Sequence, residues 1–150
     1  MAKNEIEYLV FEGGGTKGTA YAGVINVLAK RGILTNLRGV AGTSAGSIAA
    51  LAIACGYSAE EIEDILLNLD FKQFKDAGMF GLLSAADNLV SFDETGGFGL
   101  YKGEALYEYI EDLVHQKTGI KNCTFKQLYK YSGIELCITG TNISRARSEI

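Results

Sequence analysis

The feature that most constrains this chain is a helix with no polar side. From Ser44 to Cys55 the residues are apolar nearly all round, with Ile48, Ala49, Ala50, Leu51, Ala52, Ile53 and Ala54 in an unbroken run. Such a helix has no face to give to water and belongs inside the protein. Gly56 ends it, and the short apolar run Leu37–Ala41 before it reads as a strand. The junction is Gly42-Thr43-Ser44-Ala45-Gly46, a Gly-x-Ser-x-Gly motif in the strand–turn–helix setting that the motif requires. There the serine occupies a strained turn that projects its hydroxyl. Gly42 and Gly46 provide the small neighbours needed where strand and helix come close. The buried helix points its N-terminus at Ser44, which favours negative charge developing there. Ser44 is therefore a candidate nucleophile. The pentapeptide alone could arise by chance in a glycine-rich loop; the strand before it and the buried helix after it argue otherwise.

The other elements alternate in type. Ile6–Phe11 reads as a buried strand, broken by Gly13, Gly14 and Gly15. Lys17–Arg31 is helical, with Ala20, Val24, Val27 and Leu28 on one face and Gly32 as the stop. Ser58 with Glu61, and Thr124 with Gln127, are spaced as capping boxes that open two further helices. Gly103–Lys117 is helical, with Leu106, Tyr109, Ile110, Leu113 and Val114 facing inward. Ile134–Thr139 is a third strand. Strands alternating with helices imply parallel pairing, so the expected fold is a three-layer α/β/α sandwich with a mainly parallel sheet. Sites in such sheets lie beyond the carboxyl ends of the strands, where both glycine motifs fall. Ala77–Gly103, glycine-rich and irregular, reads as a long loop of the kind that forms lids or binding loops.

The second motif is Gly13-Gly14-Gly15-Thr16-Lys17-Gly18, which fits Gly-x-Gly-x-x-Gly. A dinucleotide site would need an acidic residue about 20 positions on to hold the ribose. No Asp or Glu lies between Glu12 and Glu60. A phosphate-binding P-loop ends in Gly-Lys-Ser/Thr, whereas Lys17 here precedes Gly18. An oxyanion hole remains, since consecutive glycines expose backbone N–H groups without side-chain obstruction. A plain tight turn is the bland alternative.

Composition excludes other classes. The chain has 150 residues, 47% hydrophobic and 21% charged, enough for a core and within one domain's size. Its net charge of −4 does not suggest a nucleic-acid partner. Residues 1–59 carry five basic and three acidic residues, a mildly basic third that could sit near anionic lipid, although an ordinary solvated surface explains it too. Apolar stretches are too short or interrupted to span a bilayer, and the start lacks the pattern of a signal peptide. Cys55, Cys123 and Cys137 are odd in number and widely spaced, with no metal-type pair, which suits a reduced, cytoplasmic protein.

At its two glycine motifs the chain resembles the patatin-like phospholipase family. The resemblance runs from Val10-Phe11-Glu12-Gly13-Gly14-Gly15-Thr16-Lys17-Gly18 through Gly39–Gly46 to Gly99-Leu100-Tyr101-Lys102-Gly103 and Thr124-Phe125. It implies a lipid acyl hydrolase acting at a membrane surface on lipid or phospholipid, peripheral to the membrane, without metal or cofactor. Ser44 would attack, and Gly13, Gly14, Gly15 and the Ala45 amide would hold the oxyanion. The family uses a Ser–Asp dyad without histidine. The lone histidine agrees: His115 falls on the polar side of its helix near Glu108, Glu111 and Asp112, where a solvated surface residue is expected.

One part of the family pattern is missing. The dyad Asp normally sits in Asp-Gly-Gly or Asp-Gly-Ala, and no Asp here is followed by Gly; Asp87 and Asp93 do not match. Asn142–Ile150 reads as the start of a hairpin's return strand. The expectation is that residues 1–150 are the N-terminal portion of a longer acyl hydrolase domain, inactive alone because the Asp lies outside. An unfinished sheet edge would invite pairing with another chain. The rival reading is a non-catalytic lipid-binding or assembly module on the same scaffold; a nucleotide-binding domain is a third, disfavoured by the missing acidic residue.

Overall fold

A computed structural model describes residues 6–74, 103–142 and 144–150. They divide into two compact units, the described residues within Met1–Leu69 and Leu113–Ile150, and those within Asp70–Asp112. Most of the expected loop Ala77–Gly103, with Asp87, Asp93 and the Gly99–Lys102 stretch, lies outside the described residues.

In the larger unit, β1 (Tyr8–Phe11), β2 (Gly39–Gly42) and β3 (Glu135–Ile138) form a parallel sheet in that order. Phe11, Gly42 and Ile138 stand in register at the carboxyl ends. The unit's helices are α1 (Ala20–Lys30), α2 (Ala45–Ala54), α3 (Ala59–Leu67), the second part of α4 (Glu104–Thr118), from Leu113 on, and α5 (Phe125–Ser132). The fold is α/β with a parallel sheet and flanking helices, as the alternation of elements implies.

The all-apolar helix is central. Every residue of α2 except Ser47 is buried, and α2 packs on all three strands. At about 1.5–3 kcal/mol for each fully buried large aliphatic side chain, Ile48, Leu51 and Ile53 contribute roughly 5–9 kcal/mol before the entropy of ordering them is set against it. The same face of the sheet buries Phe11 and Val40.

Both capping boxes form. Ser58 Oγ accepts from the Glu61 N–H at 3.2 Å while the Glu61 carboxylate accepts from the Ser58 N–H at 2.6 Å. Thr124 and Gln127 do the same at the start of α5. Lys117, on α4, bonds both Glu61 carboxylate oxygens at 2.7 and 2.9 Å and lies over the Tyr57 ring.

Three expectations need correction. Ile6–Phe11 is not buried on both faces. Side chains alternate along a strand, so Phe11 is buried while Tyr8 and Val10 are 59% and 79% exposed. The helix after the glycine loop begins at Ala20, not Lys17, because Gly15–Thr19 is a 3₁₀ turn. Its buried residues are Ala22 and Ile25, while Val24 and Val27 are exposed. α1 packs on α3, and apolar side chains on both sides of that helix hide in the sequence which side is buried. Finally, Leu106 of α4, expected to face inward, is 40% exposed. The expected return strand near 142–150 is present, β4 (Gly140–Asn142) pairing antiparallel with β5 (Arg147–Glu149).

In the smaller unit the Phe74 and Tyr109 rings meet edge-on with centroids 5.4 Å apart. Burial raises the Tyr109 phenol above its ordinary value.

Candidate active site

Ser44 is the pivot between β2 and α2. Its backbone sits at φ 52° and ψ −125°, left-handed territory that a side-chain-bearing residue enters at a cost of order 1–3 kcal/mol. The turn is held by backbone bonds on both sides. Thr43 N–H donates to the Phe11 carbonyl at 3.1 Å, Gly46 N–H to the Thr43 carbonyl at 2.9 Å, and Ser47 N–H to the Ser44 carbonyl at 2.8 Å. The Ser44 side chain is left exposed at the carboxyl edge of the sheet.

Close approach explains the motif glycines. A Cβ at Gly46 would fall on the Phe11 and Glu12 carbonyls at the end of β1, the latter at 2.6 Å. A Cβ at Gly42 would fall on the Gly46 carbonyl and 2.6 Å from Ser47 Cα. Across the site, a Cβ at Gly18 would meet the Ala45 methyl at 2.8 Å. Backbone, not flexible side chain, fills most of this space, so the joint cannot yield.

The glycine loop lies directly beside the serine. A Cβ at Gly13 would be only 3.2 Å from Ser44 Cβ. Gly15 has φ +56°, where glycine is at ease. Among the described residues, no backbone carbonyl takes the N–H of Gly13, Gly14, Gly15 or Ala45. Ala45 opens α2, so its N–H is one of the donors that a helix start leaves unpaired. N–H groups without a carbonyl partner, in a loop whose first glycine adjoins an exposed hydroxyl, are of the kind that can receive an oxygen bearing negative charge.

Two hydroxyls brace the site that the motifs do not reveal. Tyr21 Oη donates to the Glu12 carbonyl at 2.8 Å, and its ring meets Phe11 edge-on at 5.1 Å. Thr43 and Thr139 share a hydroxyl–hydroxyl bond at 2.8 Å, and Thr139 N–H donates to the Gly42 carbonyl at 3.2 Å. A bond to a carbonyl leaves no spacing signal in a sequence. The one hint is that Thr139 ends the apolar run of β3, level with the turn. Ser47 Oγ is buried without a hydrogen-bond partner.

Among the described residues, no side chain accepts a hydrogen bond from Ser44 Oγ. His115 sits in the last turn of α4, half-buried rather than fully solvated. No group of three or more His, Cys, Asp or Glu among the described residues is placed to hold a metal ion.

The architecture is thus that of an α/β protein with a strained serine turn set against a glycine loop. Residues 9–143 match the patatin-like phospholipase family, and the chain belongs to that family. It is similar to the uncharacterized protein R571 of Acanthamoeba polyphaga mimivirus, 31% identical over the whole chain and 46% of that protein. It is 27% identical to the "Probable lipid hydrolase 463L" of Invertebrate iridescent virus 6, over 95% of this chain and 45% of that one. The crystal structure of the type III effector protein ExoU superposes with a TM-score of 0.65 at 24% identity, covering 97% of this chain and 35% of that one. The chain therefore spans less than half the length of these relatives.

Proposed function

We propose that the protein carrying this chain is a serine-dependent lipid acyl hydrolase of phospholipase A type. The observation that carries the reading is Ser44 at positive φ with Gly13 packed against it, at the head of a glycine loop whose N–H groups at Gly13, Gly14 and Gly15, like that of Ala45, meet no backbone carbonyl. Ser44 Oγ attacks the acyl carbonyl carbon of a lipid ester, and the carbonyl oxygen becomes an oxyanion received by those N–H groups. The Ser44 proton passes to an aspartate supplied from outside residues 1–150. Collapse of the intermediate breaks the bond to the alcohol, which takes that proton and leaves. Water then hydrolyses the acyl-enzyme by the same steps. The active position is peripheral, at a membrane surface; among the described residues no helix is long and apolar enough to cross a membrane.

A fluorophosphonate probe tests this directly, because it labels only an activated serine. The expected result is an adduct on Ser44, absent in Ser44→Ala, together with fatty acid released from phospholipid vesicles by the full-length protein. Residues 1–150 alone are expected to release none. Fatty acid release that persists in Ser44→Ala refutes the mechanism. The second reading, a non-catalytic lipid-binding module, is favoured by the lack of a hydrogen-bond acceptor for Ser44 Oγ among the described residues. It predicts vesicle binding without Ser44 labelling.

A further inference from the structure

We propose that Tyr21 is a positioning residue that aims the Gly13 N–H at the oxyanion. The proposal rests on the reading of Ser44 as nucleophile and goes beyond it.

One peptide bond carries the effect. The Glu12 carbonyl and the Gly13 N–H belong to the same planar trans peptide unit, so they point in opposite directions. Fixing one fixes the other. Tyr21 Oη donates to the Glu12 carbonyl at 2.8 Å. Gly46 of α2 lies close against the same carbonyl, since a Cβ there would stand 2.6 Å from the Glu12 oxygen. The residue that carries that N–H adjoins Ser44: a Cβ at Gly13 would stand 3.2 Å from Ser44 Cβ.

This peptide needs such a clamp. Gly13, Gly14 and Gly15 are consecutive, and glycine accepts both signs of φ at little steric cost. A loop of three glycines has no side chains to bias the orientation of its peptides. Rotation of the 12–13 peptide would swing the Gly13 N–H away and turn a carbonyl oxygen, the wrong charge, toward the site. The Tyr21 bond opposes that rotation. It also polarises the peptide, because hydrogen bonding at the carbonyl strengthens donation by its N–H.

Tyr21 is itself well anchored. It lies in the first turn of α1, and its ring packs edge-on to Phe11, which is 4% exposed and closes β1. The hydroxyl is thus delivered from a rigid element to the start of a pliable loop.

Tyr21→Phe removes the hydroxyl and keeps the ring contact. In the full-length protein, loss of one oxyanion donor typically lowers kcat by about 10²–10³. Misaiming a donor that remains present is expected to lower kcat about tenfold or more, with KM changed less than about threefold. The Gly13 amide cross-peak in a ¹H–¹⁵N spectrum is expected to shift or broaden in the variant as the peptide loses its fixed direction. This second readout does not depend on turnover. A Tyr21→Phe protein with wild-type kcat and an unmoved Gly13 amide overturns the proposal while Ser44-dependent activity stands. A fall in kcat matched by an equal loss of probe-titratable sites also overturns it, because that marks a folding defect. Wild-type protein without Ser44-dependent turnover or labelling would instead remove the underlying reading, and Tyr21 with it.

Discussion

The backbone of Ser44 offers a measurement of what its turn costs. Comparing Ser44→Gly with Ser44→Ala isolates the strain, because both variants lack the hydroxyl and differ only in Cβ. At φ 52° the alanine retains the steric conflict and the glycine does not. Relief of the strain is worth about 1–3 kcal/mol. Against it stands the greater freedom of glycine in the unfolded chain, about 0.4–1 kcal/mol. The difference leaves Ser44→Gly more stable than Ser44→Ala by about 1 kcal/mol, a shift in Tm of roughly 2–4 °C for a domain of this size. Packing does not confuse the comparison, since the Ser44 side chain is exposed. Urea unfolding followed by circular dichroism gives both stabilities from their midpoints, provided the slopes agree. At an ordinary helical position glycine is worse than alanine by about 0.5–1 kcal/mol. Finding that ordinary order at position 44 would refute the claim that the turn is strained.

The remaining predictions concern the joint and two titrating groups. Gly46→Ala drives a methyl group onto the Phe11 and Glu12 carbonyls and is expected to cost at least the 1–3 kcal/mol typical of overpacking, seen as a lower urea midpoint. An unchanged midpoint would mean that β1 and α2 are not locked together. The Cys55 thiol is pushed up to about 12, first by burial and then by the nearby Cys123, so it should resist alkylation at pH 8 until the protein unfolds. Because the unfolded thiol ionises near 9.0, stability should also fall as the pH rises above that value. Labelling of Cys55 as fast as an unfolded thiol would contradict its burial. The Glu61 carboxyl is held below its ordinary value by its bond from Lys117 and then by the Ser58 N–H. That contribution is fully present above about 4.5 and is lost as the pH falls through the lowered value of the folded state. The stability gap between wild type and Glu61→Gln should therefore close on acidification, and a gap that persists at the lowest pH would refute the pairing.

Much of the site is legible in residue types because its constraints are steric. Gly42 and Gly46 are glycines where backbone meets backbone, and Ser44 stands between a strand and a helix without a polar face. Both are local patterns, and local patterns survive in a sequence. The two capping boxes are legible for the same reason. Burial is harder to read. Tyr8 and Val10 look as apolar as Leu9 and Phe11, and only the third dimension shows which pair faces α2. Likewise Val24 and Val27 lie on the opposite side of α1 from Ala22 and Ile25, and only the packing of α1 on α3 shows which side is buried. Tyr21 and Thr139 leave no mark in the sequence because each acts on a distant partner, the Glu12 carbonyl or the Thr43 hydroxyl, and no spacing rule joins them.

The burial of α2 has a consequence for how the Ser44 turn can relax. Amides in a helix enclosed on nearly every side exchange with solvent only when the whole structure opens, so α2 belongs to the slowest-exchanging part of the protein. Ser44 caps that helix, and the Gly46 contact ties its first turn to β1. The strained turn therefore has no private route to relaxation. The Ser44 turn is expected to keep its backbone geometry below the unfolding midpoint and to lose it in the same cooperative event that dissolves the core.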